Sequence, residues 1–502
     1  MLVIGAVVAA RELAWSSLFH ADQRLIDFGV FWCGGRAALD GASPYLFEPL
    51  RSCEHQHGAG TFNVVPNFVM PFVLPPFDIA PFAQLARMPY GIAAWFFTVS
   101  SGLALVAGIA LVAKSCRVPA TLAAAGLSVS VGLPSLWLGQ IVPLELLALS
   151  ATAYALVRRW DGAAGAFAVL CLLEPHVGAF VVISVAVLVP RARLALVCGS
   201  AVLAYLSVRA ANVAPLSVYI AVLAEHARAE AGSYGQYSLT SVLTYLRAPL
   251  NVATALGVVS SVVMLGAGLV LSRAFEPRGV RAAVVYIPAM CAVIGGTFVH
   301  LTQIALAVPA ALLVHAYARD ALARRLSALA LVLLAVPWPL IASSKQTLAA
   351  ALLVLAVTAW YVTGRSYRAA IAVVAAAWIA LVPLQNYAPA APAALPRITV
   401  AGPSALASDA WKQALDQMTS ASETPRYVLL KLPTWLALAA LLAAAITASR
   451  RGGFLSAGYE RGDGTRASAS TFSAASIMSE FSRTFFSSVG PISSARVGTP
   501  KS

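Results

Sequence analysis

The sequence predicts an all-α polytopic membrane protein, and three observations carry that class. Of 502 residues, 60% are hydrophobic and only 11% charged, which is more apolar surface than one water-soluble core can hide. Apolar runs long enough to cross a bilayer recur at 1–19, 90–113, 119–135, 141–157, 194–211, 252–272, 282–299, 301–317, 327–343, 346–363, 369–386 and 428–448. Between them, basic residues are clustered: Lys114 with Arg117, Arg158 with Arg159, Arg191 with Arg193, Arg273 with Arg278 and Arg281, Arg319 with Arg324 and Arg325, Arg365 with Arg368, and Arg450 with Arg451.

These clusters set the orientation, because cytoplasmic loops carry the excess of Lys and Arg. All of them share one side if the chain starts inside and 162–189, interrupted at Glu174-Pro175-His176, forms two short helices. One kinked helix there would turn every later cluster outward. The broken pair is therefore the expectation, with about 12–14 transmembrane helices and both termini cytoplasmic. The first run contains Arg11-Glu12 and no small-residue cleavage site, so it reads as a retained span. The net charge of +14 has the same topological origin. No basic run with interleaved aromatics points to nucleic acid.

Under that topology residues 20–89, 135–140, 174–176, 212–250, His300, 343–346 and 387–427 lie outside. The segment "RLIDFGVFWCGGRAALDGASPYLFEP" (24–49) reads as a half-apolar surface helix, with Phe31 and Trp32 toward lipid or protein and Arg36 toward water. Residues 68–89, apolar and proline-rich, should lie along or dip into the outer leaflet. Residues 224–249 mix charges with tyrosines, as at a cavity mouth. The external loop 387–427 is Pro-rich and then helix-like from Ala407. A membrane domain thus spans 1–449, followed by a disordered, basic, Ser-rich cytoplasmic tail, 450–502. Cys171, Cys198 and Cys291 fall in apolar runs as small buried hydrophobes. Cys33 and Cys53 share the first polar loop and could pair if it faces an oxidising compartment.

No P-loop, dinucleotide turn, G-x-S-x-G or H-E-x-x-H occurs. What remains is a set of ionisable residues at the outer helix ends: Asp27, Glu174, His176 and His300, with Asp22, Arg36, His226, Arg228 and Lys345 nearby. Asp27 has two readings, a helix N-cap or a desolvated general base. His300 is either an interfacial side chain or a site residue, and Gly295-Gly296 before it would let a ligand approach the backbone. Glu174 and His176 flank a proline break whose freed backbone groups need a cavity or a protein partner.

The stretch "IDFGVFWCGGRAALDGASPY" resembles the N-terminal signature of glycosyltransferase family 87, the polyprenyl-phosphate-sugar mannosyltransferases of the GT-C class. The matching landmarks are Asp27-Phe28, Phe31-Trp32 and Gly41-Ala42-Ser43-Pro44-Tyr45, followed in order by Pro75-Pro76, Gly139-Gln140, Glu174-Pro175 and His300. The resemblance covers residues 20–320. It implies a GT-C fold and inverting transfer of a sugar, most commonly mannose, from a polyprenyl-phosphate donor to a glycolipid or glycan acceptor on the external face of the plasma membrane. Asp27 would be the base. His300, His176, Glu174, Gln140, Arg36 and Tyr45 would surround donor and acceptor. Neither a metal nor a cofactor is implied, the lipid-linked donor being a substrate. The family usually carries Lys before the proline of the break, where this chain has Glu174; the phosphate would fall to His176 or to an Arg or Lys elsewhere.

The alternative is a polytopic transporter or glycolipid flippase. It would show broken helices near the midplane in both halves of an internal repeat, whereas the candidate residues here gather on one face. The topology itself has a direct check. A cysteine introduced at Ser343 is expected to react with a membrane-impermeant maleimide from outside, and protection there would overturn the two-helix reading of 162–189.

Overall fold

The computed structural model describes residues 25–57, 65–128, 130, 133–233, 235–336, 338, 345–385, 397–399, 402–418 and 424–450. The expected first span, 1–19, and the tail beyond Arg450 lie outside these residues. The described chain is helical, with two isolated β-bridges and no strand among the described residues.

In chain order the helices are α1 (Ile26–Leu39), α2 (Phe47–His57), α3 (Ile79–Leu85), α4 (Tyr90–Cys116), α5 (Ala120–Leu127), α6 (Leu133–Leu138), α7 (Val142–Val157), α8 (Asp161–Leu170), α9 (Pro175–Leu188) and α10 (Arg193–Ala210). There follow α11 (Leu216–Glu230), α12 (Leu239–Tyr245), α13 (Leu250–Phe275), α14 (Ala283–Gly295), α15 (Val308–Tyr317), α16 (Ala321–Leu334), α17 (Lys345–Val362), α18 (Tyr367–Gln385), α19 (Ala407–Met418) and α20 (Thr424–Arg450). Proline sets many of the starts. Pro89, Pro119, Pro215 and Pro249 stand at N-caps, and Pro143, Pro175 and Pro309 in first turns, where the missing N–H has no intrahelical partner to lose.

Among the described residues four helices are long and apolar enough to cross a membrane: Tyr90–Cys116, Pro190–Ala210, Leu250–Arg278 and Leu430–Arg450. On them Trp95, Leu103 and Val106, Leu194, Val197 and Val208, and Val259 and Val263 are exposed. Apolar faces of that extent, bare of protein, suit hydrocarbon better than water. Other expected spans are shorter than anticipated. The run 119–135 contains α5 and the start of a separate α6, 282–299 supplies only α14, and 301–317 opens as a 3-10 helix, Leu301–Ala307, before α15. The break at Glu174 is present, with α8 and a 3-10 turn on one side and α9 on the other.

Two cores result. The larger centres on α14, whose residues are almost all buried and which packs on α13, α9 and α7. Arg281 ties it down by donating to Asp161 Oδ1 at 2.8 Å and to the Leu156 carbonyl at 3.0 Å. The second core joins α1, α2, residues 65–74, α3, α11 and α19. Within the segment 68–89, expected to lie along or dip into the outer leaflet, the side chains of Phe68, Val69, Phe72, Leu74, Ile79 and Phe82 are buried in this core around α1.

Cys33 and Cys53 are joined, linking α1 to α2. With a sequence separation of 20 residues, removing the link in a Cys33→Ser/Cys53→Ser variant should cost about 3 kcal/mol on chain-entropy grounds. A lower unfolding midpoint of the detergent-solubilised variant, matched by reduction of the wild type, checks this.

Candidate functional site

Asp27 lies in the first turn of α1, not at its cap. The N-cap is Leu25, at φ 56, and no side chain caps the helix. The N-cap reading of Asp27 therefore falls. The carboxylate instead accepts from Gln140 Nε2 at 2.6 Å. That contact is prepared by the turn after α6: the Leu25 N–H donates to the Trp137 carbonyl at 2.7 Å, and Gly139 takes φ +76 against Phe28. A Cβ on Gly139 would meet Phe28 Cβ at 2.6 Å, so both backbone conformation and space call for glycine.

Glu174 ends the broken helix and precedes Pro175 of α9. Its Oε2 accepts from Gln303 Nε2 at 2.9 Å, with His176 Nδ1 3.6 Å away. Gln303 in turn accepts the His300 N–H through Oε1 at 2.7 Å. His300 itself sits in a bridge with Gln236. The Tyr237 N–H donates to the Val299 carbonyl at 2.8 Å, the Leu301 N–H to the Gly235 carbonyl at 2.9 Å, and the Val299 N–H to Gln236 Oε1 at 3.1 Å.

The glycines before His300 play a different part from the one expected. A Cβ on Gly295 would run into the Met264 side chain, and one on Gly296 would sit 2.7 Å from the Ala292 carbonyl. Gly295 permits close packing of α14 on α13, with Ser261 Oγ donating to its carbonyl at 2.7 Å, while Gly296 lets the chain turn tightly between Ala292 and Val299. The space beside them is filled by protein.

These pieces surround one cavity of about 460 Å³. Asp27, Gln140, Glu174, His176, His300 and Gln303 line it, joined by His226 and Glu230 of α11 and by apolar side chains such as Phe31, Leu74 and Phe298. Sequence elements as far apart as 27 and 303 thus meet at one place. Arg36 and Tyr45 do not line it. Arg36 is exposed and pairs with Asp40 at 3.0 Å, while Tyr45 is buried and donates through its hydroxyl to the Leu74 carbonyl at 3.2 Å.

One important residue escaped the sequence reading. Lys431 of α20 is fully buried, and its Nζ donates to the Ser233 carbonyl at 2.8 Å, the Gln236 carbonyl at 2.6 Å and the Tyr245 hydroxyl at 2.6 Å. Three acceptors match the three N–H groups of an ammonium. The rings of Tyr237 and Tyr245 lie 5.3 and 4.7 Å away, adding cation–π attraction. A lone Lys within the apolar run 428–448 was the available signal. It was hidden by the topological use of the other basic residues.

The site's electrostatics follow from burial. Asp27 is pushed up to about 7 by desolvation; the Gln140 amide pulls the other way and the charge of Glu230 adds to the rise. Glu174 is raised by burial, against its bond from Gln303. Burial holds His226 and His300 below the ordinary imidazole range, so both are neutral near pH 7. His176 Nε2, His226 Nδ1 and His300 Nδ1 are buried without a hydrogen-bond partner among the described residues. Glu230 differs, accepting from Trp411 Nε1 at 3.0 Å and Ser233 Oγ at 2.9 Å. The arrangement can take a proton at Asp27 and offer imidazole nitrogens to an incoming polar group.

No family model, curated protein or solved structure matches the chain.

Because the folded chain holds the Asp27 proton up to about pH 7 and an unfolded chain loses it near 4, the stability associated with this group is complete below pH 4 and lost as pH rises through 7. Asp27→Asn should remove that loss, which the shift bounds at roughly 4 kcal/mol. Unfolding midpoints of the two proteins compared at pH 5 and pH 8 check it, the variant gaining most at pH 8.

Proposed function

We propose that the chain is an integral membrane glycosyltransferase of GT-C type, moving a sugar from a polyprenyl-phosphate donor to a glycolipid or glycan acceptor. The observation that carries this reading is the convergence in one cavity of Asp27, held by Gln140, with Glu174 and three buried imidazoles that each keep one ring nitrogen without a hydrogen-bond partner among the described residues. The resemblance to glycosyltransferase family 87 at Asp27-Phe28, Gly41 to Tyr45, Gly139-Gln140, Glu174-Pro175 and His300 supplies the reaction class. Mannose is the sugar that class most commonly carries. In this reading the cavity opens on the external face of the plasma membrane and the tail beyond Arg450 is cytoplasmic, as the basic loops require.

The mechanism follows from the groups present. An acceptor hydroxyl attacks the anomeric carbon from the side opposite the phosphate, forming the new C–O bond as the sugar–phosphate C–O bond breaks. Asp27 takes the hydroxyl proton, and a base with a pKa near 7 is suited to do so at neutral pH. The bonding electrons leave with the polyprenyl phosphate, which gains a negative charge. His176 and His300 stabilise that charge by donating from a ring N–H. Nε2 of His176 and Nδ1 of His300, without a partner among the described residues, are the nitrogens available for it. The Glu174 that stands where the family usually carries Lys is engaged by Gln303, and in this reading the phosphate's partners are the imidazoles. Apolar walls at Val30, Phe31, Leu173 and Leu223 suit the first isoprene units of the donor.

Asp27→Ala is expected to lower transfer from a polyprenyl-phosphate sugar by about 100- to 10,000-fold, while the protein still inserts and is purified at wild-type yield. The wild-type rate should fall on the acid side with a midpoint near pH 7, as Asp27 becomes protonated. Retained transfer by Asp27→Ala would sink the base assignment. Substrate flux across proteoliposomes without any transfer would replace the enzyme by a transporter.

A further inference from the structure

A second cavity, of about 600 Å³, lies away from the first, between α16 and the antiparallel pair α17 and α18. Its two ends differ in chemistry. Arg324 and Arg325, both exposed, stand with His315 at one end, joined by Thr363 in the turn just after α17. Above them the lining is apolar: Ala328, Leu329 and Val332 on α16, facing Ala359, Val362 and Val373. On α16 the positions 321, 324, 325, 328, 329 and 332 form one stripe of a helix with 3.6 residues per turn. The stripe therefore begins in guanidinium groups and continues as hydrocarbon.

The dimensions suit an amphiphile. From Arg324 to Val332 the helix rises about 12 Å, close to the roughly 15 Å hydrocarbon depth of one leaflet. The charge is also one-signed around the mouth. Arg319 lies in the turn before α16, and Arg365 and Arg368 lie at the turn between α17 and α18. The acid of that region, Asp320, accepts the Ala323 N–H at 3.0 Å as the N-cap of α16. Guanidinium groups bind phosphate oxygens in paired hydrogen bonds, and their stems can lie on apolar surface while the heads reach the interface. Basic pockets between membrane helices at the arginine-rich side are suited to anionic head groups.

We propose that this groove binds one anionic glycerophospholipid, its phosphate at Arg324 and Arg325 and an acyl chain along Ala328, Leu329 and Val332. The site is independent of the Asp27 cavity and of the reaction assigned to it.

The test is native mass spectrometry and lipid exchange on the full-length protein, offered phosphatidylglycerol or phosphatidylcholine at equal concentration. The wild type should retain one phosphatidylglycerol and prefer it to phosphatidylcholine. Arg324→Gln/Arg325→Gln, at exposed positions, should weaken phosphatidylglycerol by roughly 10- to 30-fold at two basic residues and remove the preference. Ala328→Phe, which fills the groove and leaves both arginines, should also release the lipid. Equal binding of the two lipids by the wild type would overturn the proposal, as would unchanged binding by either variant. So would displacement of the lipid by inorganic phosphate or soluble glycerophosphate at concentrations comparable to the lipid's, or a stronger preference for a polyprenyl phosphate.

Discussion

The organisation of the main cavity rests on a buried ammonium. Lys431 enters from the last helix and binds two carbonyls of the segment 233–236 and the Tyr245 hydroxyl. A cation among packed apolar helices requires acceptors on every N–H, because each missing bond leaves a desolvated charge. The segment that satisfies it is thereby held where it can bridge His300. His300 in turn sets Gln303, and Gln303 sets Glu174. A single chain of hydrogen-bonded groups thus runs from the C-terminal helix to the broken one. Trp435, which donates to the Tyr237 carbonyl at 3.2 Å, reinforces the same segment.

Asp27 is governed by an opposite balance. Burial disfavours its charge, while a single amide from Gln140 favours it. One hydrogen bond is too little to offset full desolvation, so the carboxyl is left about half ionised near pH 7. The same second core that buries it also makes it rigid. Phe28 stacks on Phe97 with ring centroids 4.7 Å apart, Phe31 meets Phe72 and Phe82, and the Cys33–Cys53 link closes the far end of α1 on α2. A group kept basic by its surroundings needs such a fixed environment, since any local opening would rehydrate it.

Much of this was legible one residue at a time. The helix starts at prolines, the break at Glu174-Pro175, the helix from Ala407 and the pairing of two loop cysteines all follow from local chemistry. The candidate residues Asp27, Gln140, Glu174, His176 and His300 do line one cavity. Arg36 and Tyr45 belong to the same sequence signature, yet one is solvated and the other is a core tyrosine. On α1 itself, Asp27 and Arg36 are nine residues apart and lie at opposite ends of the helix, so membership of a motif did not imply membership of the cavity. Gly295 and Gly296 read in sequence as room for a ligand to approach the backbone. The neighbours they meet are protein, Met264 of α13 beside Gly295 and Ala292 and Val299 beside Gly296.

The sequence by itself determined the helical class, the apolar segments and the break at Glu174-Pro175, because hydrophobic length, proline and charge act within a few residues of themselves. Tertiary structure alone decided which polar groups are paired and which are left open. Lys431 shows only as a lone Lys in an apolar run, with nothing local to name its acceptors, and Gln303 carries no local sign of its role. Their partners lie 195 and 129 residues away, at Gln236 and Glu174. The energies involved are desolvation and hydrogen bonding inside a low-dielectric interior. Those quantities exist only once distant helices have closed around the group.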